Sequence, residues 1–191
     1  MLLFLDRPAW GQMGGGDLVG TWEVRLSDGV HTVAFEHGTT TGKRVVLVDS
    51  QEVVKKEWMF KLVGSETFEI GSAKCVIKIE PMGGFAYEYS LEVNGQTYKK
   101  FREKQSRILR TWVFPINSVM QRVVLERDTL DVWLNGSKLD VAAEFVDGGT
   151  ETHFDVCGQP AYICARSSGS RREGIIHALV VNGEQVPEAI E

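Results

Sequence analysis

Three cysteines and four histidines in 191 residues leave little material for a disulfide framework or a metal centre. Cys75, Cys157 and Cys164 are odd in number and lack C-x-x-C spacing, which argues against paired thiols and makes a reducing cytosol the natural compartment. A zinc site needs three or four clustered ligands. His153 and Cys157 stand four apart, too far for an obvious chelate on a strand, and His31 and His37 read as separate parts of a hairpin. Long apolar runs are missing as well. The run at residues 2–5 stops at Asp6 and Arg7, short of a signal-peptide core and far short of a bilayer span, and no later segment reaches spanning length. Positive charge is in deficit: a net charge of −5 and a pI near 5.5 argue against general affinity for nucleic acid. No serine sits in a nucleophile elbow and no pattern marks paired carboxylates, so no catalytic residue, cofactor or metal is assigned.

One stretch, "FEHGTTTGKRVVLVD" at 35–49, raises the question of phosphate. A phosphate loop needs four residues between its glycines, a hydroxyl after the lysine and a following helix whose N-terminus faces the anion. Gly38 and Gly42 enclose three residues, Arg44 replaces the hydroxyl, and "RVVLVD" is a β-branched run. The loop 38–44 therefore reads as a hairpin connection with Thr39, Thr40, Thr41 and Gly42 as turn residues. A nucleotide or small-molecule site there is the alternative.

What is present is β-rich patterning. With 43% hydrophobic and 25% charged residues the chain has the composition of a folded domain. Phe85, Tyr87, Tyr89, Leu91 and Val93 alternate with small or polar residues and share one strand face. Asn94-Gly95, Asn135-Gly136 and Asn182-Gly183 each follow such a run with a strong hairpin signal. The chain also echoes itself: "GTWEVRL" against "RTWVFPI", "HTVAFEHG" against "QRVVLERD", "VVLVDS" against "DVWLNG", "ETFEIG" against "THFDVC" and "YSLEVNG" against "HALVVNG", in order and at nearly constant offset. The expected fold is all-β: two related antiparallel β-sandwich-like domains arising from this internal repeat, 17–104 and 105–191, after a loosely ordered extension at 1–16. No segment carries a helical apolar period longer than about two turns.

Two stretches stand out as candidate surfaces. Trp58, Met59 and Phe60 are three large apolar residues in succession, which cannot all face one side of a strand; they either pack against the sister domain or form a partner-binding surface. Residues 99–112 hold Lys99, Lys100, Arg102, Lys104, Arg107 and Arg110 against one Glu103, and read as a solvated linker or, with Arg102, Lys104 and Arg107, as a docking surface for an acidic partner. His177 and Cys75 fall on apolar faces and read as core residues, leaving Cys164 as the more exposed thiol.

The blocks "LSDGVH", "FEHGTT", "GKRVV", "KEWMFKLVG", "GFAYEY", "DVW" with Asn135-Gly136, "EFVDGGTETHF" and "EGIIH" resemble, in order, those of the Fas apoptotic inhibitory molecule family over roughly residues 17–188. The resemblance implies a cytosolic, non-enzymatic protein of two β-sandwich-like domains. It implies a role in restraining death-receptor-triggered apoptosis, an influence on NF-κB signalling and neurite outgrowth, and protection against stress-induced aggregation. The implied partners are death-receptor signalling components or misfolded clients. The resemblance supplies no catalytic residues, and residues 1–16 lie outside it.

Overall fold

A computed structural model describes residues 17–84, 86–171 and 174–189. The expected extension at 1–16 and Phe85 of the alternating run lie outside them. Contacts divide the described chain into two compact units, 17–24 with 31–101 and Arg25–Val30 with 102–189.

The first unit holds two antiparallel meander sheets. One has the order β1 (Leu18–Arg25), β2 (Val30–His37), β3 (Arg44–Val48), β4 (Gln51–Lys56). The other runs β5 (Gly64–Ile70), β6 (Ala73–Gly83), β7 (Ala86–Val93), β8 (Gln96–Thr97). Period-two alternation decides the faces: Val33 and Phe35 of β2 are buried, as are Cys75, Ile77 and Ile79 of β6 and Leu91 and Val93 of β7. Phe35 meets Tyr89 edge-on at 5.9 Å between ring centroids, so the two inner faces pack as a sandwich. Ala34, Val45 and Leu47 form a small cluster on the other face of the first sheet. Burial pushes the Cys75 thiol up to about 11, which keeps it protonated. The loop 38–44 joins β2 to β3 as a hairpin connection, with His37 opposite Arg44, and a strand follows Lys43.

A helix, α1 (Tyr98–Ile108), stands where a solvated linker was expected. Only Phe101 on it is fully buried, so its apolar signal is too thin to read as a period, while its Lys, Arg, Glu and Gln residues are good helix formers.

The second unit repeats the plan: β9 (Leu109–Ile116), β10 (Val119–Glu126), β11 (Val132–Leu134) and β12 (Ser137–Lys138) form one sheet. The second sheet runs β13 (Ala143–Val146), β14 (Gly149–Val156), β15 (Gln159–Ser167), β16 (Ile175–Val181), β17 (Glu184–Val186). Trp112, Val123 and Leu125 of the first sheet share one core with Val156, Ile163 and Leu179 of the second. The turn 25–30 belongs to this unit, where Arg122 donates through Nη1 to the Ser27 carbonyl at 2.9 Å and through Nη2 to that of Leu26 at 3.3 Å. All three Asn-Gly pairs form tight hairpins with both residues at positive φ, as at Asn135 (49°) and Gly136 (85°).

Candidate partner-binding surface

The site begins with an arginine in an apolar row. Arg44 opens β3 on the face that carries Val46, and it is buried together with Glu66 of β5, which shares its face with Phe68 and Ile70. A buried cation is costly unless its donors are matched. Here Arg44 Nη1 donates to Glu66 Oε1 at 2.8 Å, while Nη2 donates to the Lys61 and Val63 carbonyls at 2.6 and 3.0 Å. Lys56 Nζ takes the other Glu66 oxygen at 2.6 Å. The charged pair thus fastens the loop between β4 and β5 from below.

The same loop is held at its other end. Met59 N–H donates to the Thr41 carbonyl at 3.0 Å, and Gly42, at φ 70°, lets the Met59 carbonyl approach so closely that a Cβ there would collide with it. His37 lies beside this anchor, its Nδ1 sharing a 2.9 Å hydrogen bond with the Tyr89 hydroxyl and its ring edge-on to Tyr87 at 5.3 Å. Burial first and then the Arg44 charge lower the His37 pKa, against weaker support from Asp17 and the Leu62 backbone. The imidazole is therefore neutral near pH 7.

Trp58, Met59 and Phe60 lie in this loop rather than in a strand, which corrects the premise that a strand would carry them. They still alternate: Met59 turns toward the Thr41–Gly42 connection, while Trp58 is 56% and Phe60 90% exposed. Their rings stand edge to face at 4.1 Å and 78°. Two large aromatic side chains face solvent on a segment whose backbone is tied at three points, an arrangement suited to contact with another protein.

Arg102, Lys104 and Arg107 are all exposed on α1. Helical spacing sets Lys104 and Arg107 on one side, in line with Lys100, and turns Arg102 roughly 200° from Lys104. The three residues are thus not one patch. Arg110 lies on β9, half-buried, 3.4 Å from Glu188.

The remaining candidates are structural. His31 and His37 sit at the two ends of a single strand, β2, rather than in separate parts of a hairpin, and His31 Nδ1 is 2.8 Å from Asp49 Oδ2. His177 is half-buried on β16, its pKa lowered by burial and by Arg127 and Arg110. The exposed thiol is Cys157, in a turn at φ 53°, whereas Cys164 is half-buried. Among the described residues no three His, Cys, Asp or Glu side chains converge on a metal-sized site, and no helix is long and apolar enough to cross a membrane. The Arg44–Glu66 fastening was missed by sequence reasoning; the signal for it was Glu66 falling in step with Phe68 and Ile70.

The sequence profile of the family described as Fas apoptotic inhibitory molecule matches residues 18–189. The chain is 59% identical over 177 residues to Fas apoptotic inhibitory molecule 1 of Bos taurus, covering 92% of this chain and 88% of that one. It is 56% identical over 174 residues to the proteins of the same name from Homo sapiens and Mus musculus, covering 90% of this chain and 97% of each. With a match running through both β units and identity of this order over nearly the whole length, the chain belongs to the Fas apoptotic inhibitory molecule family.

Proposed function

We propose that this chain restrains Fas-triggered apoptosis in the cytosol by binding other proteins rather than by catalysis, and that the Trp58–Phe60 pair is part of the surface it uses. Family membership supports the anti-apoptotic role, since the relatives carry it in their name. The observation that carries the binding mode is the contrast between the exposure of Trp58 and Phe60 and the fixed loop beneath them. Because the backbone is already ordered, a partner covering these rings gains apolar burial without the entropic cost of fixing a loop. The same surface is available to the apolar segments of misfolded clients, which joins the protective role against aggregation to the same chemistry.

The test is Fas ligation in cells lacking the endogenous protein, complemented with wild type or with Trp58→Ser combined with Phe60→Ser. Wild type is expected to lower effector-caspase activity, and the double variant to lose at least half of that protection while keeping its circular dichroism. Absence of protection by wild type sinks the anti-apoptotic reading; equal protection by the variant sinks the loop as its surface.

A further inference from the structure

We infer that β13 is a docking edge for an extended segment of another protein, one with apolar residues on its Phe145 side and a cation facing Glu144. This rests on the reading that the chain works by binding proteins, and it adds a second site with its own chemistry.

β13 is the outer strand of its sheet, and all four of its residues are exposed, Phe145 at 93%. Its register with β14 pairs Val146 with Gly149 across the two-residue connection Asp147-Gly148. A closing pair of that kind is hydrogen-bonded, and bonded pairs alternate along an antiparallel ladder. Glu144 opposite Glu151 is therefore the next bonded pair, and the N–H and C=O groups of Ala143 and Phe145 point outward, away from the sheet. Unpaired edge groups beside an exposed phenyl ring form a template for strand addition.

Among the described residues, five of the seven other outer strands, all but β5 and β17, carry protection that β13 lacks. The Tyr98 hydroxyl donates to the Glu23 carbonyl on β1 at 2.8 Å, and the Ala189 N–H donates to the Thr111 carbonyl on β9 at 2.8 Å. β4 ends in Lys55 and Lys56, and β8 and β12 have two residues each. β13 has no lysine, no proline and no bulge.

Charge selects the occupant. Glu144 faces Glu151 across the ladder, and Glu151 already meets His153 at 3.1 Å and Arg166 at 3.8 Å. An incoming strand with Lys or Arg opposite Glu144 relieves that like-charge pair. A second copy does not. Antiparallel self-pairing centred on Glu144 sets that carboxylate against itself, and pairing centred on Phe145 runs Ala143 against Asp147, where the strand has ended.

The probe is a fluorescein-labelled heptapeptide of alternating Val and Lys, titrated with the full-length protein and read by fluorescence anisotropy. Saturable binding is expected, weakened at least tenfold when the central Val is N-methylated or when Glu replaces Lys. Phe145→Pro removes an N–H that makes no ladder bond, so the fold survives while binding falls at least tenfold. Glu144→Lys keeps the edge and should invert the preference toward the Glu peptide. No saturable binding, equal binding of the N-methylated peptide, or indifference to both substitutions overturns the proposal. So does a wild-type dimer in sedimentation that Phe145→Pro dissolves, which would give the edge to a second copy. Peptide binding is measured on purified protein and protection in cells, so the edge can fail while the anti-apoptotic reading stands.

Discussion

The two β units solve the same problem with different residues, and the point where they diverge is where both expose their aromatics. In the first unit Asp49 accepts the Thr32 N–H at 2.8 Å and pairs with His31; in the second Asn135 accepts the Arg122 N–H at 2.8 Å and donates to Gln121. These positions correspond in the sequence echo, so one clamp recurs as an ion pair in one unit and as an amide pair in the other. The offset that aligns Glu66 with Thr152 also aligns residues 57–60 with β13. One stretch is a pinned loop and the other an edge strand. Arg44 corresponds to Leu130, which cannot hold the loop carbonyls, and Leu62 to Gly148, whose φ of 88° suits a tight turn. A buried charge pair thus fastens the loop that carries Trp58 and Phe60, at the place where the second unit has an edge strand.

The largest expected break in this comparison comes from Glu66→Ala. It leaves the Arg44 guanidinium buried without its carboxylate, and removing one member of a buried pair costs about 3–5 kcal/mol. Thr152→Ala, at the matching place, removes no charge and should cost about 1 kcal/mol or less. Urea unfolding of both variants compares them; equal losses would mean that the pair does not fasten the first unit.

The next effect is pH-dependent. Burial and nearby arginines hold the His37 and His177 pKa values below the ordinary 6.5. As pH falls below about 6.5 the unfolded chain takes up protons that the folded chain refuses, so stability declines from there down to the depressed values. Each histidine adds a slope of at most about 1.4 kcal/mol per pH unit. His37→Gln should remove one share of the decline and His177→Gln the other, and a slope untouched by either would locate the titration elsewhere.

How much of this was legible in the sequence follows from what each element buries. Cys75, Ile77 and Ile79 alternate cleanly, and so do the described members of the β7 run, because a half-buried strand imposes period two. The Asn-Gly turns were equally plain, since few residue pairs accept two positive φ values. α1 was not, because one buried phenylalanine in eleven residues sets no period. Arg44 and Glu66 were read past because charge in an apolar row counts as a break until its partner, 22 residues away, is placed opposite it. β13 is four residues long and buries none, so nothing in its composition separates it from the loop it replaces. Trp58 and Phe60 stood out as part of a run of three large apolar residues, whereas Phe145 lies where residue pattern is least informative and long-range pairing decides.

A smaller effect is expected from exchanging the clamps. Asp49→Asn keeps an acceptor for the Thr32 N–H and replaces the partly exposed pair with His31 by the amide arrangement of the second unit. The change in unfolding free energy should stay within about 1 kcal/mol. The hairpin should persist in amide hydrogen exchange at Thr32 and Asp49, and loss of protection there would show that the ion pair, not the accepted N–H, holds the turn.

The smallest effect tests the loop 38–44 itself. Lys43 Nζ lies 2.9 Å from Glu36 and 3.5 Å from Asp17, and its hydrogen bond to Glu36 raises its pKa. In the second unit the matching residues are Thr129 and Glu126, joined by a hydroxyl-to-carboxylate bond of 3.1 Å. Lys43→Thr therefore transplants the arrangement of one unit into the other. A partly exposed ion pair of this kind contributes little, so the change should be about 0.5 kcal/mol and shrink further with added salt. The same variant bears on the nucleotide alternative, because a lysine engaged by two carboxylates is not free for a phosphate. Magnesium with ATP should leave the melting temperature of both proteins where it was; a saturable shift in wild type that Lys43→Thr abolishes would make the loop a phosphate site after all, and would break the parallel between the two hairpins.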